Sequence, residues 1–245
     1  MSDLEPFFNS AEECAAYETF CAEQERGLEK FKLAEPALVC RWRMARRGVP
    51  LLNRHIRALS HRVVNGAPLT TNMLSWAKQH VEWSLAAGEY SDPNGVLMLV
   101  IDVNGDALMS VGPYEPLADT SRAALIARAA EARAEQAVAA VAPELLGVLA
   151  ADGHVLLAAR ADEPLCGAGT LVEQLAATRG LSVERALAEG ETVGDFVARV
   201  ADALTADGRA VVFLVSDEHG VVVEEGAAAD TAAVQLSADV RKLFS

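Results

Sequence analysis

The chain contains three segments in which an apolar run, a short turn and a second apolar run follow one another. The segments and the residues at their turns are 95–112 at Asn104-Gly105, 145–160 at Asp152-Gly153 and 210–226 near His219-Gly220. Asparagine, aspartate and glycine tolerate the positive φ angles that a tight hairpin turn requires, so this pattern predicts three β-hairpins. Their unequal spacing indicates shared local chemistry rather than an internal repeat.

Helical stretches separate the predicted hairpins. They lie at 118–142, 169–180 and 193–206, and a short helical tail is predicted at 229–244. Hairpins joined by helices favour an α+β fold with a mixed or antiparallel sheet over a doubly wound parallel sheet. Because the strands are apolar on both faces, we expect helices to cover both sides of the sheet.

The residues before the first hairpin have helical patterns. Ser10 and Glu13 fit the Ser-x-x-Glu capping box, which predicts a helix over 10–33. Further helices are predicted from Pro36 to about Gly48, over 51–64, and from a cap at Thr70 or Thr71 to Gly88. The sequence therefore predicts a helical N-terminal third, 1–90, followed by an α+β domain, 91–245, with a boundary in 88–95.

Composition argues against several classes of partner. The net charge of −14 is opposite to the basic footprint that nucleic acids require, so no nucleic-acid partner is expected. No apolar run reaches the roughly 18 residues of a membrane span, and the N-terminus lacks signal-peptide features, so no membrane partner is expected. Cysteines without CxxC or Cys-His spacing favour buried thiols in a reducing cytoplasm and no metal site. These cysteines are Cys14, Cys21, Cys40 and Cys166.

Common catalytic patterns are not recognisable either. The histidines have no HExxH spacing, and no serine lies in a nucleophile-elbow pattern, so neither a metal-dependent nor a serine hydrolase is predicted. Three carboxylate pairs at loops or strand ends are expected to be solvated. They are Asp162-Glu163, Asp217-Glu218 and Glu224-Glu225.

Seven arginines lie within residues 40–63 of this acidic chain. Arg43, Arg47 and Arg54 fall near one another at helical spacing, which predicts a basic surface for a small anionic ligand such as a phosphate or carboxylate. A second interpretation needs no ligand. The acidic residues of 1–35 can pair with these arginines and orient the predicted helices.

A glycine-bearing loop, Gly167-Ala168-Gly169, precedes a predicted helix that starts at Thr170. Free N–H groups at a helix N-terminus, with glycines that allow close approach, can hold a phosphate or carboxylate. The loop is neither a P-loop nor a GxGxxG motif, because no lysine follows it and the spacing differs. The alternative is a capped helix start without a ligand.

The order of motifs from Asp152 to Val223 resembles the C-terminal domain of the fold-type IV, pyridoxal-phosphate-dependent aminotransferases, the branched-chain aminotransferase family. A hairpin, DGHVLLAAR, is followed by the turn CGAGT, the helix LVEQLAATRG, the segment LSVER and then VVFLVSDEHGVV. Upstream, LLNRHIRAL at 51–59 is similar to a helix of that family. The resemblance covers about a third of the chain.

The resemblance implies pyridoxal phosphate as cofactor and a place for its phosphate. In that family a Gly-x-Thr turn cups the phosphate at a helix N-terminus, and a later strand supplies another polar contact. The matching positions here are Gly167, Gly169, Thr170 and Ser216.

The lysine that the chemistry requires has no matching position. It should precede the matched region by several tens of residues and form the Schiff base with the cofactor. The chain has only four lysines, Lys30, Lys32, Lys78 and Lys242, and Lys78 lies in the middle of a predicted helix. The family's Glu-x-x-x-Asn element near the pyridine nitrogen is not recognisable.

Three hypotheses follow. The first is an aminotransferase-like protein that lacks the catalytic lysine and retains at most a site for a small anion. The second is an assembly protein, a homo-oligomer such as a dimer, whose N-terminal helices mediate pairing between chains. The third is an active branched-chain-type transaminase that uses an unusual lysine.

Overall fold

The computed structural model describes residues 32–244 except 89, 91, 201–209 and 230, together with Ala15 and Thr19. The chain divides into two compact units, Met1–Ala34 and Glu35–Ser245, and the fold described below is that of the second. The predicted helix over 10–33 lies mostly outside the described residues. No described helix has the length and apolar character needed to cross a bilayer.

Two sheets organise the second unit. The first is antiparallel and has three strands, with β4 (Val96–Asp102) between β1 (Pro36–Arg43) and β5 (Ala107–Gly112). Two helices, α1 (Leu52–Leu59) and α2 (Thr71–Ala87), and a two-stranded hairpin, β2 (Val63–Val64) with β3 (Ala67–Pro68), connect β1 to β4. Leu59, Val81 and Leu99 belong to the core of this part.

The second sheet has five strands in the order β10-β9-β6-β7-β8. They are β6 (Glu144–Leu149), β7 (His154–Leu157), β8 (Ser182–Arg185), β9 (Val211–Ser216) and β10 (Gly220–Val223). All pairs are antiparallel except β7 with β8. The sheet is therefore mixed, as the sequence predicts.

Helices cover both faces of the second sheet. These helices are α3 (Arg122–Ala139), α4 (Gly167–Thr178), α5 (Val193–Arg199) and α6 (Ala232–Arg241). A 3-10 turn at Lys242–Phe244 follows α6. One core contains Val172 of α4 and Leu236 of α6. The other contains Leu125 of α3 and Phe196 of α5. Every residue of β6 and β9 is buried, which accounts for their uninterrupted apolar runs.

The α+β class and the three hairpins are confirmed, as β4–β5, β6–β7 and β9–β10. The helical N-terminal third is wrong, because β1, β2 and β3 lie within the predicted range 1–90. Where a helix was predicted from Pro36 to Gly48, the structure has β1. Its side chains alternate with a period of two. Leu38, Cys40 and Trp42 are buried, and Arg41, between Cys40 and Trp42, is exposed. Pro36 starts this edge strand, a position where its missing N–H is tolerated.

The other predicted helices differ in extent. The helix predicted over 51–64 ends at Leu59 and is followed by the short hairpin that turns at Asn65-Gly66. The helix from Thr70 to Gly88 is confirmed: the Thr70 hydroxyl accepts a hydrogen bond from the Met73 N–H, and Gly88 ends the helix with φ 72°. The division at 88–95 stays a prediction. The pairing of β1 with β4 joins residues from both sides of it.

The two sheets meet where β1 ends and β9 turns into β10. The Arg43 N–H donates to the Asp217 carbonyl oxygen over 3.0 Å. Helix α1 contacts α4 beside this point. The junction brings the predicted turn at Gly167–Thr170 close to residues of the first sheet's part of the chain.

Candidate functional site

The N-terminus of α4 is capped by a carboxylate of the protein itself. Asp217, the first residue after β9, accepts a hydrogen bond from the Ala168 N–H at 2.7 Å and a longer one from the Gly167 N–H at 3.4 Å. The cap residue Cys166 contributes no side-chain hydrogen bond. Helix N-termini favour a negative charge at this position, and Asp217 supplies it.

His55 of α1 contacts the same carboxylate. Its Nδ1 lies 3.2 Å from the Asp217 Oδ2, within ion-pair distance but without the geometry of a hydrogen bond. The imidazole stacks on Trp42 of β1, with ring centroids 5.1 Å apart. Both His55 and Asp217 are buried, so the contact is shielded from water. The imidazole and the carboxylate therefore hold α1, α4 and the β9–β10 turn together.

Gly167 is required by the closeness of this contact. A Cβ on Gly167 would lie 2.5 Å from the His55 Nδ1 and 3.2 Å from its backbone nitrogen. Such distances are well inside van der Waals contact, and the backbone atom cannot move aside. The glycine at the start of the turn thus serves the approach of His55.

Charges around Asp217 keep it ionised in spite of burial. Burial alone would raise the pKa of the carboxyl, but the charge and proximity of His55, the Ala168 N–H and the Arg62 guanidinium outweigh it and lower the pKa. Arg62 is itself buried and lies 3.1 Å from Glu135. Burial lowers the pKa of Arg62, while neighbouring Cys40, Glu135 and Asp217 raise it above its ordinary value.

The four residues matched to a phosphate cup lie close together. Each of them is in contact with other groups of the protein. Gly169 packs on Leu145, whose Cδ1 would lie 2.8 Å from an added Cβ. The Thr170 hydroxyl donates to the Gly167 carbonyl oxygen over 2.8 Å and accepts from Arg54 over 3.0 Å. The Ser216 hydroxyl accepts from the Glu218 and His219 N–H groups, both at 3.1 Å, and so closes the β9–β10 turn.

The three arginines of the predicted basic surface contact different parts of the protein. The Arg43 guanidinium lies over the Tyr114 ring, 3.1 Å from its centroid. Arg47 faces the Tyr90 ring at 5.8 Å. Arg54 donates to Thr170 and to Gln174 of α4. Anion binding by each of them stays a prediction.

A cleft of about 370 Å³ adjoins Ser216 and is predominantly acidic. Among its lining residues, two arginines face five carboxylates; these are Arg41 and Arg128, and Glu131, Glu135, Glu144, Asp217 and Glu218. Arg128 is already engaged with Glu144 through two hydrogen bonds of 2.9 and 2.8 Å. Arg41 lies 3.6 Å from Glu218. The cleft therefore repels anions.

A smaller cavity, about 260 Å³, borders Thr170. Basic side chains from α1 and β8 line it, including Arg54, Arg57 and Arg185. Arg185 forms two hydrogen bonds with Glu173, at 2.7 and 2.9 Å. Within the described part of the chain, its lining includes no lysine.

The sequence analysis missed Asp217 and His55. Asp217-Glu218 was expected to be solvated, and this is wrong for Asp217, which is buried. The same expectation is wrong for Glu163, buried beside Arg133 at 2.7 Å, and for the side chain of Glu224, which forms two hydrogen bonds with Arg122. A carboxylate two residues after the apolar run Val211–Val215 was the available signal, since such a residue lies close to the core.

No protein-family model matches the chain, and no curated protein matches it. Solved structures do. A hypothetical aminotransferase from Mycobacterium tuberculosis in its alpha-ketoglutarate and PMP bound form is 13% identical, with a TM-score of 0.51 over 88% of this chain and 94% of that one. A hypothetical aminotransferase of the same organism in its apo form is 15% identical, with a TM-score of 0.50 over 84% and 88%. The chain has an aminotransferase-like fold.

Proposed function

We propose that this chain is an aminotransferase-fold protein that does not carry out lysine-dependent transamination. In this proposal the turn at Gly167–Thr170 is a structural junction, and any remaining role is the binding of a small ligand. The observation that carries it is the buried Asp217 carboxylate at the N-terminus of α4. A cytoplasmic location, which the composition predicts, is part of the proposal.

The residues around α4 do not fit the phosphate of pyridoxal phosphate. A helix N-terminus stabilises one anion through its free N–H groups, and Asp217 already accepts from two of them. A second anion at the same place would meet a buried like charge. Gly167 and Gly169 leave no room either, because His55 and Leu145 fill the space beside them. The acidic cleft next to Ser216 adds to this repulsion.

The positions of the described lysines support the same proposal. Lys32 is exposed, Lys78 lies in α2, and Lys242 is exposed and lies 2.8 Å from Asp239. A lysine that forms a Schiff base needs a desolvated place against the cofactor. The cavity at Thr170 has no lysine in its described lining.

The test is to incubate the purified chain with pyridoxal phosphate, reduce it with borohydride and measure the intact mass. We expect no stoichiometric adduct at a single lysine and no visible absorbance band, because no lysine of the described residues lines the cavity at Thr170. The Lys78→Arg variant serves as the matched control for nonspecific labelling. A stoichiometric adduct that Lys78→Arg abolishes would support the third hypothesis, a transaminase with an unusual lysine, and would overturn the proposal.

A further inference from the structure

A third cavity, about 560 Å³, is lined by β10, α6 and the segment 114–120 rather than by the α4 turn. Its volume is in the range of pockets that hold small molecules. Most of its walls are apolar, and Val221, Val223 and Phe244 contribute to them. We call it the β10–α6 cavity. Polar and charged side chains, among them Arg43 and His219, line the rest of it, as is usual for a ligand site.

Arg43 is one of the residues that line this cavity. The guanidinium stacks on the Tyr114 ring, and its Nε and one terminal nitrogen are buried without a hydrogen-bond partner among the described residues. Burial lowers the pKa of Arg43, but an arginine retains its charge in proteins. Buried donors are nearly always paired, so an unpaired cationic pair of N–H groups indicates a missing acceptor.

His219 offers a second buried and unpaired atom. Its side chain is only 5% exposed, and its Nδ1 has no partner in the described part of the chain. The imidazole lies 5.7 Å from the Tyr114 ring, centroid to centroid. Burial lowers the pKa of His219, which favours the neutral ring and leaves Nδ1 able to donate or accept. Arg43, Tyr114 and His219 thus form one polar corner of the cavity.

The charge balance of the β10–α6 cavity favours an anion. Its two carboxylates have partners within the protein: Glu224 forms two hydrogen bonds with Arg122, and Glu218 lies 3.6 Å from Arg41 and 3.9 Å from the His219 Nε2. Its two arginines, Arg43 and Arg241, form no ion pair with a carboxylate of the described residues, although Asp92 and Glu218 act on Arg43 electrostatically. A single negative charge beside Arg43 is therefore the compatible one, because a dianion would also face both glutamates.

We propose that the β10–α6 cavity binds a small organic monocarboxylate with an apolar body. The carboxylate accepts hydrogen bonds from Arg43 and lies beside His219, and the apolar body packs on the valines of β10 and on Phe244. This assignment does not depend on the loss of transamination proposed above.

The test uses the full chain and phenylacetate as probe, with phenylacetamide as its neutral isostere. Titration calorimetry is expected to give saturable binding of phenylacetate and binding at least about tenfold weaker for phenylacetamide, as follows from the loss of a charge-assisted hydrogen bond. Equal affinity for the two probes, or no binding of either, overturns the assignment.

Variants locate the site. Arg43→Met is expected to weaken phenylacetate binding about tenfold or more, whereas Arg46→Met, an exposed arginine outside the cavity lining, leaves it unchanged. Ala238→Phe fills the cavity from an exposed position of α6 and is expected to abolish binding even if Arg43→Met does not fold. Unchanged affinity in folded Ala238→Phe overturns the assignment. These readouts are independent of any adduct with pyridoxal phosphate, so each proposal can fail alone.

Discussion

Asp217 is a buried, negatively charged residue. Its neighbours determine how much free energy the burial of that charge costs. Burial raises the pKa of Asp217, but His55, the Ala168 N–H and Arg62 together lower it by more, so the folded protein favours the ionised carboxylate over the protonated acid. A lowered folded-state pKa stabilises the protein above the unfolded pKa of about 3.9. That stabilisation is lost as the pH falls from there through the folded-state pKa.

Asp217→Asn is expected to lower the free energy of unfolding at pH 7 by about 2 to 4 kcal/mol, because it leaves the buried charge of Arg62 less compensated. The difference in unfolding free energy between the variant and the natural chain should shrink as the pH falls below about 4. There the carboxylate is protonated first in the unfolded chain and then, at lower pH, in the folded one. Urea unfolding at a series of pH values measures both effects. Asp162→Asn, at an exposed position, is the control and should change little. A difference that stays constant from pH 7 to pH 3 would contradict this role of Asp217.

At the scale of elements, structure that depends on local turn residues could be predicted from the sequence, and structure that depends on distant strand pairing could not. The hairpins were predictable because Asn104-Gly105 and Asp152-Gly153 determine the turn within a few residues. Strand β1 was not, because its partner β4 lies more than fifty residues further on, and Pro36 fits a helix start as well as an edge strand.

The candidate site was likewise predictable only where it depends on neighbouring residues in the sequence. The glycine turn and the start of α4 were visible in the sequence near Gly167–Thr170. Asp217, which caps that helix, comes from a strand end fifty residues away. Sequence spacing alone does not reveal such a contact, so the pairing of the turn's N–H groups with Asp217 could not be predicted. His55 was hidden for the same reason, since only the packing of α1 on α4 brings it there.

Helix α2 permits a direct test of a sequence-predicted cap. The sequence left Thr70 and Thr71 as alternatives, and in the structure the Thr70 hydroxyl accepts from the Met73 N–H at 3.2 Å. Thr70→Ala is expected to lower the free energy of unfolding by about 1 kcal/mol. Thr71→Ala, one residue later and without the cap, should stay within about 0.5 kcal/mol of the natural chain. Chemical unfolding of both variants decides, and equal losses would show that the cap is not the stabilising contact.

At the scale of the whole molecule, the unit Glu35–Ser245 contains both sheets and their described cores. Deletion of residues 1–34 is expected to leave a chain that unfolds cooperatively, within about 5 °C of the full-length midpoint, because the described cores begin at Leu38. Thermal unfolding followed by circular dichroism measures this. A deletion variant without a cooperative transition would contradict the autonomy of the unit.

The same variant tests one part of the assembly hypothesis, the contribution of residues 1–34 of the predicted N-terminal third. If the chain is a homo-oligomer formed through residues 1–34, light scattering should give an oligomer for the full chain that dissociates as salt screens its charged faces, and a monomer for the deletion variant. An oligomer of the same size in both would place the assembly contact elsewhere.

The fit of His55 against Gly167 has a consequence for anyone who would engineer a cofactor site into this scaffold. A single replacement cannot create such a site. Removing the Asp217 carboxylate leaves the buried guanidinium of Arg62 less compensated, and widening the turn requires moving the His55 imidazole, which stacks on Trp42. Installing a phosphate would require coordinated redesign of three separate chain segments, followed by the introduction of an amine.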